Sequence, residues 1–361
     1  MKALIAMSGG VDSSVAAWCM IRDGWDCLGC TMKLHAEDSE LLPSERTCCT
    51  ADDAADAASV ARRLGFRHYT FNYTKLFRER VMEPFAADYL AGRTPNPCIE
   101  CNTWLKFGAL HQRARELGCD CVVTGHYARI VRTEQGWELR KAADAAKDQS
   151  YFLHTLTQEQ LAHTAFPLGG MTKPEVRAIA GELGFVNAQK TDSQDICFVP
   201  DGDYAGVVCA QTGCRPEPGP FLDLAGRQIG THRGILHYTV GQRRGLGLSF
   251  PEPYYVVAID AGSNTVTLGP KAALYAATVR VSEFHWISGQ TPTGPIRCRA
   301  KIRYRHPEQP CTLTPTADGG ALLQFDEPQR AVTPGQFAVA YDGETVLGGG
   351  RIVSEYYFGI I

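Results

Sequence analysis

No run of apolar residues in this sequence approaches the ~20 needed to cross a bilayer, which excludes a helical membrane-spanning protein. A secretory leader is imitated only faintly by Met1-Lys2-Ala3-Leu4-Ile5-Ala6-Met7, because Gly9-Gly10 and Asp12 break the apolar run too early. The expected location is therefore cytoplasmic, with no membrane partner. Charge of one sign is not in excess either: 36 Lys and Arg stand against 39 Asp and Glu, a net of −3. Composition alone announces no nucleic-acid binder, so any such binding has to come from a local basic surface. Internal repeats and low-complexity tracts are also missing.

What is present in quantity is cysteine, with fourteen in 361 residues. Spread along a chain of this size, they argue against a secreted disulfide scaffold. Most are expected to be small buried hydrophobes, and a few to be reactive thiolates or metal ligands. The hydrophobic share of 44% is ordinary for a globular protein. At roughly 100–200 residues per domain, the length suggests two or three domains.

Up to about residue 200, strand-length apolar runs (2–7, 27–32, 68–71, 121–124) alternate with Ala- and Arg-rich helical stretches (14–23, 52–64, 76–90, 107–117, 174–183). That alternation predicts an α/β domain with a parallel sheet covered by helices. Gly24, Gly65, Gly118 and Gly184 stand just past the helix ends, where C-terminal caps sit. Beyond residue 201, Gly, Pro and Thr become frequent. Short alternating segments (254–259, 265–268, 277–281, 296–304, 337–341) then predict small β-rich domains. The expected division is 1–200, 201–272 and 273–361, with the second boundary at Pro270-Lys271-Ala272-Ala273.

The segment Ser8-Gly9-Gly10-Val11-Asp12-Ser13-Ser14 follows the first strand and opens the first helix. Glycines let the backbone turn tightly there, and the helix N-terminus offers unpaired N–H donors with a partial positive charge. With the hydroxyls of Ser8, Ser13 and Ser14 these make a phosphate cradle, and Asp12 is placed to help hold Mg²⁺. The lysine of a Gly-x-x-x-x-Gly-Lys-Ser/Thr loop is missing. The segment instead resembles the PP-loop of ATP pyrophosphatases, so ATP contacts are expected along Ala6, Met7, Ser8, Gly9, Gly10, Val11, Asp12, Ser13 and Ser14. Ligands of open α/β sheets lie at the carboxyl ends of strands. Met32 is accordingly a candidate to pack on adenine, or else a core methionine. Gly125, in Thr124-Gly125-His126-Tyr127, would admit a nucleotide closely, while His126 is either a substrate contact or a hydrogen-bonded structural histidine.

Cys27 and Cys30 are spaced C-x-x-C on a strand, so they point to opposite faces and do not share a metal. Cys119 and Cys121 read as core in the same way. Cys48-Cys49 precedes a helix without an evident role. Cys98 and Cys101 differ, because Thr94-Pro95-Asn96-Pro97 forces an extended approach to a helix expected to begin near Asn102. Thiols at such a junction feel the helix dipole, which favours thiolate and suits a nucleophile or metal ligand. Cys197 sits at a polar-to-apolar junction in Thr191-Asp192-Ser193-Gln194-Asp195-Ile196-Cys197-Phe198 and from local sequence could equally be core.

Six segments together, 8–14, 94–102, 124–129, 147–151, 192–198 and Arg303-Tyr304-Arg305, resemble the tRNA-specific 2-thiouridylase family in order along the whole chain. The resemblance implies a PP-loop domain, a small central domain and a C-terminal β-barrel. It implies that ATP adenylates the C2 carbonyl oxygen of a tRNA wobble uridine and that sulfur displaces AMP. Cys197 matches the persulfide carrier. Cys101 matches its partner, drawn as a nucleophile or as the thiol that resolves the persulfide into a disulfide. Asn96, Pro97, His126, Lys147, Asp148, Gln149, Arg303, Tyr304 and Gln336 match tRNA contacts. The sulfur donor would be a cysteine desulfurase, a relay protein or free sulfide. Many members carry aspartate where this chain has Cys98. With Cys98, Cys101 and Cys197 around one cavity, a [4Fe–4S] cluster with one open iron is expected, against a relay without a cluster or a zinc site.

Arg297, Arg299, Lys301, Arg303 and Arg305 alternate with apolar residues, which on one strand gives a row of cations suited to phosphates. A second basic group is Arg233 with Gln242-Arg243-Arg244-Gly245-Leu246-Gly247. Two rival readings stand beside the thiouridylase: a PP-loop enzyme acting on a small molecule, which would need neither the basic strand nor Cys197, and a non-catalytic RNA-binding redox or metal sensor.

Overall fold

The structure, a computed structural model, describes residues 1–35, 51–191, 196–199 and 201–353. Cys48, Cys49 and positions 192–195 of the motif leading to Cys197 lie outside the described residues. The first part runs β1 (Lys2–Ala6), α1 (Val11–Arg22), β2 (Asp26–Lys33), α2 (Ala51–Leu64) and β3 (Arg67–Asn72). It continues through α3 (Thr74–Phe77), a π-helical turn (Arg78–Met82), α4 (Glu83–Leu90), α5 (Pro97–Cys101), a π-helical stretch (Asn102–Ala109) and α6 (Leu110–Glu116) to β4 (Cys121–Val123). A hairpin of β5 (Ala128–Thr133) and β6 (Gly136–Lys141) follows. Then come α7 (Gln158–Ala162), β7 (Thr164–Ala165), α8 (Lys173–Glu182) and α9 (Tyr204–Thr212).

Five strands form a sheet in the order β3-β2-β1-β4-β7, with every neighbouring pair parallel. Helices cover both faces, which is why the central strands read as continuous apolar runs: Ala3, Leu4, Ile5, Val122 and Val123 are fully buried. Cys27 joins the apolar cluster on one face and Cys30 the cluster on the other. Cys121 and Cys119 divide in the same way. The four glycines past the helix ends all take left-handed φ, as helix C-terminal caps do. From β1 the chain builds outward to β2 and β3, then returns to place β4 on the other side. The crevice at this reversal, between the carboxyl ends of β1 and β4, is where such sheets bind ligands.

The middle of the chain folds β8 (Gly219–Leu222), β9 (Gln228–His232), β10 (Tyr254–Asp260) and β11 (Thr265–Pro270) into a small sheet, ordered β10-β11-β8-β9. The remainder folds β12 (Tyr275–Trp286), β13 (Ile296–Lys301), β14 (Gln309–Pro315), β15 (Ala321–Arg330), β16 (Phe337–Asp342) and β17 (Thr345–Ile352). These close into a six-stranded barrel, in the order β12-β15-β14-β13-β16-β17 with β17 pairing back to β12. The expected parallel-sheet domain, small central domain and C-terminal barrel are all present.

Three features depart from expectation. The β5–β6 hairpin was not anticipated; it leaves the first domain and joins the barrel sheet through β17. Strand β17 itself carries Gly348-Gly349-Gly350, a sequence that argues against a strand. Its glycines are explained by close approach: a Cβ at Gly348 would lie 2.0 Å from the His285 carbonyl oxygen, and one at Gly349 2.6 Å from the His154 ring. Strand β13 ends at Lys301, where an expected strand had run to residue 304, because the chain turns there with His306 N–H donating to Arg303 O.

Candidate nucleotide and thiol site

Gly10 is extended (φ −90°, ψ 162°) and α1 begins after it with no side-chain cap, so the first-turn N–H groups have no intrahelical acceptor. The loop is held from behind. A Cβ on Gly9 (φ +72°) would lie 2.3 Å from the Asp53 carbonyl oxygen, which presses the loop against the start of α2. A Cβ on Gly125 would lie 2.8 Å from Asp12 C and Ser13 N, so the end of β4 abuts the start of α1. This close backbone approach requires the glycine, whatever ligand binds. Two hydroxyls expected to face phosphate turn inward instead. Ser13 Oγ donates to Gly10 O (3.0 Å) and accepts from Ser8 N–H (3.2 Å), and Ser14 Oγ donates to Gly10 O (3.1 Å). Ser8 remains exposed.

Asp12 also departs from its expected role. Both of its carboxylate oxygens accept from Lys173 Nζ (2.7 and 2.8 Å), and Oδ1 accepts from the Tyr127 hydroxyl (2.8 Å). With its oxygens so engaged, Asp12 serves as an anchor for a buried lysine and not as a ready ligand for Mg²⁺. Lys173 and Tyr127 were missed in the sequence. A signal existed: Thr172 and Glu175 form a capping box, yet a lysine stands in the first helical turn, where the dipole disfavours a cation. Asn187 was missed as well; its Nδ2 donates to Gly9 O (2.9 Å) and Ser14 Oγ (3.0 Å). Lys190 donates to Asp53 (2.5 Å), Asp56 (3.0 Å) and Gly9 O (3.4 Å). Burial works against its charge, but the two carboxylates outweigh that and raise its pKa. Met32 is buried in the apolar cluster with Leu34 and Phe77, a core position.

The thiol helix begins earlier than expected. Pro97 occupies the first turn of α5, so Cys98 and Cys101 lie one turn apart on one helix face instead of on a loop before it. Cys98 is exposed and Cys101 half-buried. Cys197, also half-buried, precedes Phe198, whose ring packs edge-on against Phe77 (5.7 Å) and Phe85 (5.0 Å). Cys101 and Cys197 border the same apolar cluster. Three thiolates would suit iron chemically. Among the described residues, however, no group of three or more His, Cys, Asp or Glu side chains is arranged to hold a metal ion.

The barrel grips the segment that leads into α5. Gln336 Nε2 donates to Thr94 O (2.9 Å) and Pro95 O (3.2 Å), Thr94 N–H donates to Pro334 O, and Arg351 pairs with Glu100 (2.8 Å) and with Asp88. This places Gln336 beside Asn96 and Pro97. Gln149 Oε1 accepts from Tyr127 N–H (2.9 Å), tying its stretch to the crevice. Asp148 is buried: it accepts from Ala142 N–H, Ser150 N–H and Ser150 Oγ, while Lys147 beside it is half-buried. His126 is 8% exposed, with Nδ1 2.7 Å from Thr124 Oγ1 and Nε2 3.4 Å from Lys106 Nζ. Burial, then the Lys106 charge, holds its pKa well below the usual range, so it is neutral. Tyr304 packs on Phe152 (4.3 Å). Arg303 is turned inward, with Nη2 donating to Ala331 O (2.5 Å) and Thr333 Oγ1.

The expected row of five cations does not exist as an open track. Arg297 pairs with Asp326, Arg299 reaches Glu308, and Lys301 lies 3.9 Å from both Asp148 and Glu308. These carboxylates come from other segments, so local sequence did not reveal them. Arg233, Arg243 and Arg244 of the second basic group are exposed, as is Arg305.

Residues 1–201 match the family described as tRNA methyl transferase HUP domain, residues 211–270 the tRNA methyl transferase PRC-barrel domain, and residues 276–352 the aminomethyltransferase beta-barrel domain. The chain is 48% identical to the tRNA-specific 2-thiouridylase MnmA of Geotalea uraniireducens, covering 97% of this chain and 94% of that one. It is 46% identical to that of Magnetococcus marinus (98% and 99%) and 48% identical to that of Moorella thermoacetica (97% and 99%). Among solved structures, a 4-thiouridine synthetase–RNA complex with bound ATP aligns with a TM-score of 0.37 at 21% identity, over 55% of this chain and 45% of that one. No helix among the described residues is long and apolar enough to cross a membrane.

Proposed function

We propose, from the premise that this chain belongs to the tRNA-specific 2-thiouridylase family, that it is an ATP-dependent sulfurtransferase acting on the wobble uridine of tRNA. ATP lies against residues 6–14, with its phosphates at the N-terminus of α1 and Gly125 at the crevice wall. The uridine O2 attacks the α-phosphorus and pyrophosphate leaves. A poor oxygen leaving group has then become AMP. Lys173, fixed by Asp12, supplies a buried positive charge where phosphate charge builds up, and such preorganised charge acts strongly in a water-poor site. Any Mg²⁺ would arrive with the nucleotide phosphates.

Sulfur arrives on Cys197 as a persulfide. Its terminal sulfur attacks C2 of the adenylated uridine and AMP leaves. Cys101 thiolate then attacks Cys197 Sγ, which expels the 2-thiouridine sulfur and leaves a Cys101–Cys197 disulfide for an external thiol reductant to reopen. The single observation that carries this reading is the packing of Cys101 and Cys197 against one apolar cluster, on a chain whose phosphate-cradle geometry stands at the sheet crevice. The relay is preferred to a [4Fe–4S] site because Cys101 and Cys197 border one apolar cluster while Cys98 stands exposed. The tRNA approaches over Asn96, Pro97, Lys147, Gln149 and Tyr304. The exposed Arg233, Arg243, Arg244 and Arg305 take phosphates.

The test is thiolation of transcript tRNA with ATP and a sulfide or persulfide source, following pyrophosphate, AMP and thiolated product. Cys101→Ala and Cys197→Ala are expected to keep tRNA-dependent pyrophosphate release and lose product, while Cys98→Ala keeps product. Loss of product in Cys98→Ala, together with iron and acid-labile sulfide in anaerobically purified protein, would replace the relay by a cluster route. No pyrophosphate release with tRNA present would sink the enzyme reading in favour of an RNA-binding sensor.

A further inference from the structure

Two cysteines with no part in the sulfur chemistry meet at the end of α9. Cys209 lies in its last turn. Gly213 caps the helix in the left-handed conformation (φ +71°), with its N–H donating to Cys209 O (2.8 Å). This turn brings the next residue, Cys214, back over the helix end, where its Sγ lies 3.3 Å from Cys209 Sγ. Both thiols are half-buried, but Ala210, Thr212 and Gly213 around them are exposed, so a small molecule can reach the pair. A disulfide of ~2.05 Å needs about an ångström of further approach.

Other cysteines among the described residues set this pair apart. Cys298 and Cys311 are cross-strand partners 3.6 Å apart, but they are 6% and 0% exposed inside the barrel. Cys27 and Cys30 face opposite sides of a sheet.

We infer that Cys209 and Cys214 form a reversible thiol–disulfide modification site, whose reaction partner is a low-molecular-weight disulfide of the glutathione class. Cys214 thiolate attacks one sulfur of that disulfide, forming a mixed disulfide and releasing one thiolate. Cys209, on losing its proton, attacks Cys214 Sγ and releases the second. Two protein thiols are oxidised and one external disulfide is reduced to two thiols. Burial, then the bond to Cys214, pushes the Cys209 thiol up to about 11, which suits it to the second, resolving step. The bond staples the end of α9 to the segment entering β8.

The test treats the reduced full-length protein with glutathione disulfide, alkylates remaining thiols, and maps chymotryptic peptides. Cleavage after aromatic residues yields a peptide of residues 205–221, whose only cysteines are Cys209 and Cys214. The expected product is that peptide closed on itself and unalkylated, reopened by dithiothreitol, with Cys298 and Cys311 still reduced. Cys209→Ser should stop at a glutathione adduct on Cys214. Gly213→Ala, which strains the left-handed turn while an added Cβ meets nothing within 4 Å, should slow closure roughly tenfold. Full alkylation of both thiols under conditions that oxidise a free dithiol peptide would overturn the proposal. So would oxidation of Cys298–Cys311 at an equal rate, since that would indicate unfolding and not a built site.

Discussion

Lys173 concentrates the chemistry of the crevice in a single side chain. Its side chain is 9% exposed and its ammonium is held by both oxygens of Asp12. If it neutralises phosphate as proposed, Lys173→Met should lower pyrophosphate release by about 100-fold or more, in the range of losing one preorganised charge donor. Binding of tRNA should not change, and Lys173→Arg should recover part of the rate. Stability should carry a different residue-scale signature. Burial holds His111 and His154 to about 4, against 6.5 for an ordinary imidazole. The unfolded chain therefore takes up protons that the folded chain refuses. Stability should be level above ~6.5 and fall toward pH 4, by up to about 1.4 kcal/mol per pH unit for each ring. Urea midpoints at pH 7.5 and 5 check the sign; a higher midpoint at pH 5 would contradict it.

At the scale of elements, a tight demand falls where β4 meets α1. Gly125→Ala would force a Cβ to 2.8 Å from two backbone atoms, so it should cost about 1–3 kcal/mol as overpacking and raise the KM for ATP. Thermal melts and ATP titrations separate the two effects. Much of this domain was legible in advance because its signals are local. Strand-length apolar runs, helix-capping glycines and the opposed faces of Cys27 and Cys30 all follow from backbone periodicity. What could not be read depends on long-range partners. The cations of β13 look like an open row until Asp326, Glu308 and Asp148 arrive from elsewhere in the chain. Asp12 looks like a metal ligand until Lys173 reaches it. Helix α5 starts earlier than the two prolines suggest, because Pro97 stands in the first turn, where proline is tolerated.

For the molecule as a whole, the barrel reaches the thiol helix through Gln336 and Arg351. Gln336→Ala removes both hydrogen bonds to the carbonyls of Thr94 and Pro95. If these position Cys101, product formation should fall about tenfold or more, in line with the sensitivity of catalysis to small misplacements, while pyrophosphate release stays near normal. Parallel assays of the two products decide it, and an equal fall in both would show that the contact supports the fold generally. A second link joins the same two parts: β6, from the first domain, pairs with β17, and Lys141 N–H donates to Glu344 O (2.9 Å). A chain cut after the small central sheet would therefore lose more than an appendage. It would leave β6 with a naked rim of unpaired amides, an invitation to stick to other chains. Strand β17 thus seals a seam opened some two hundred residues earlier in the chain, so this protein is better regarded as knitted than as assembled from detachable parts.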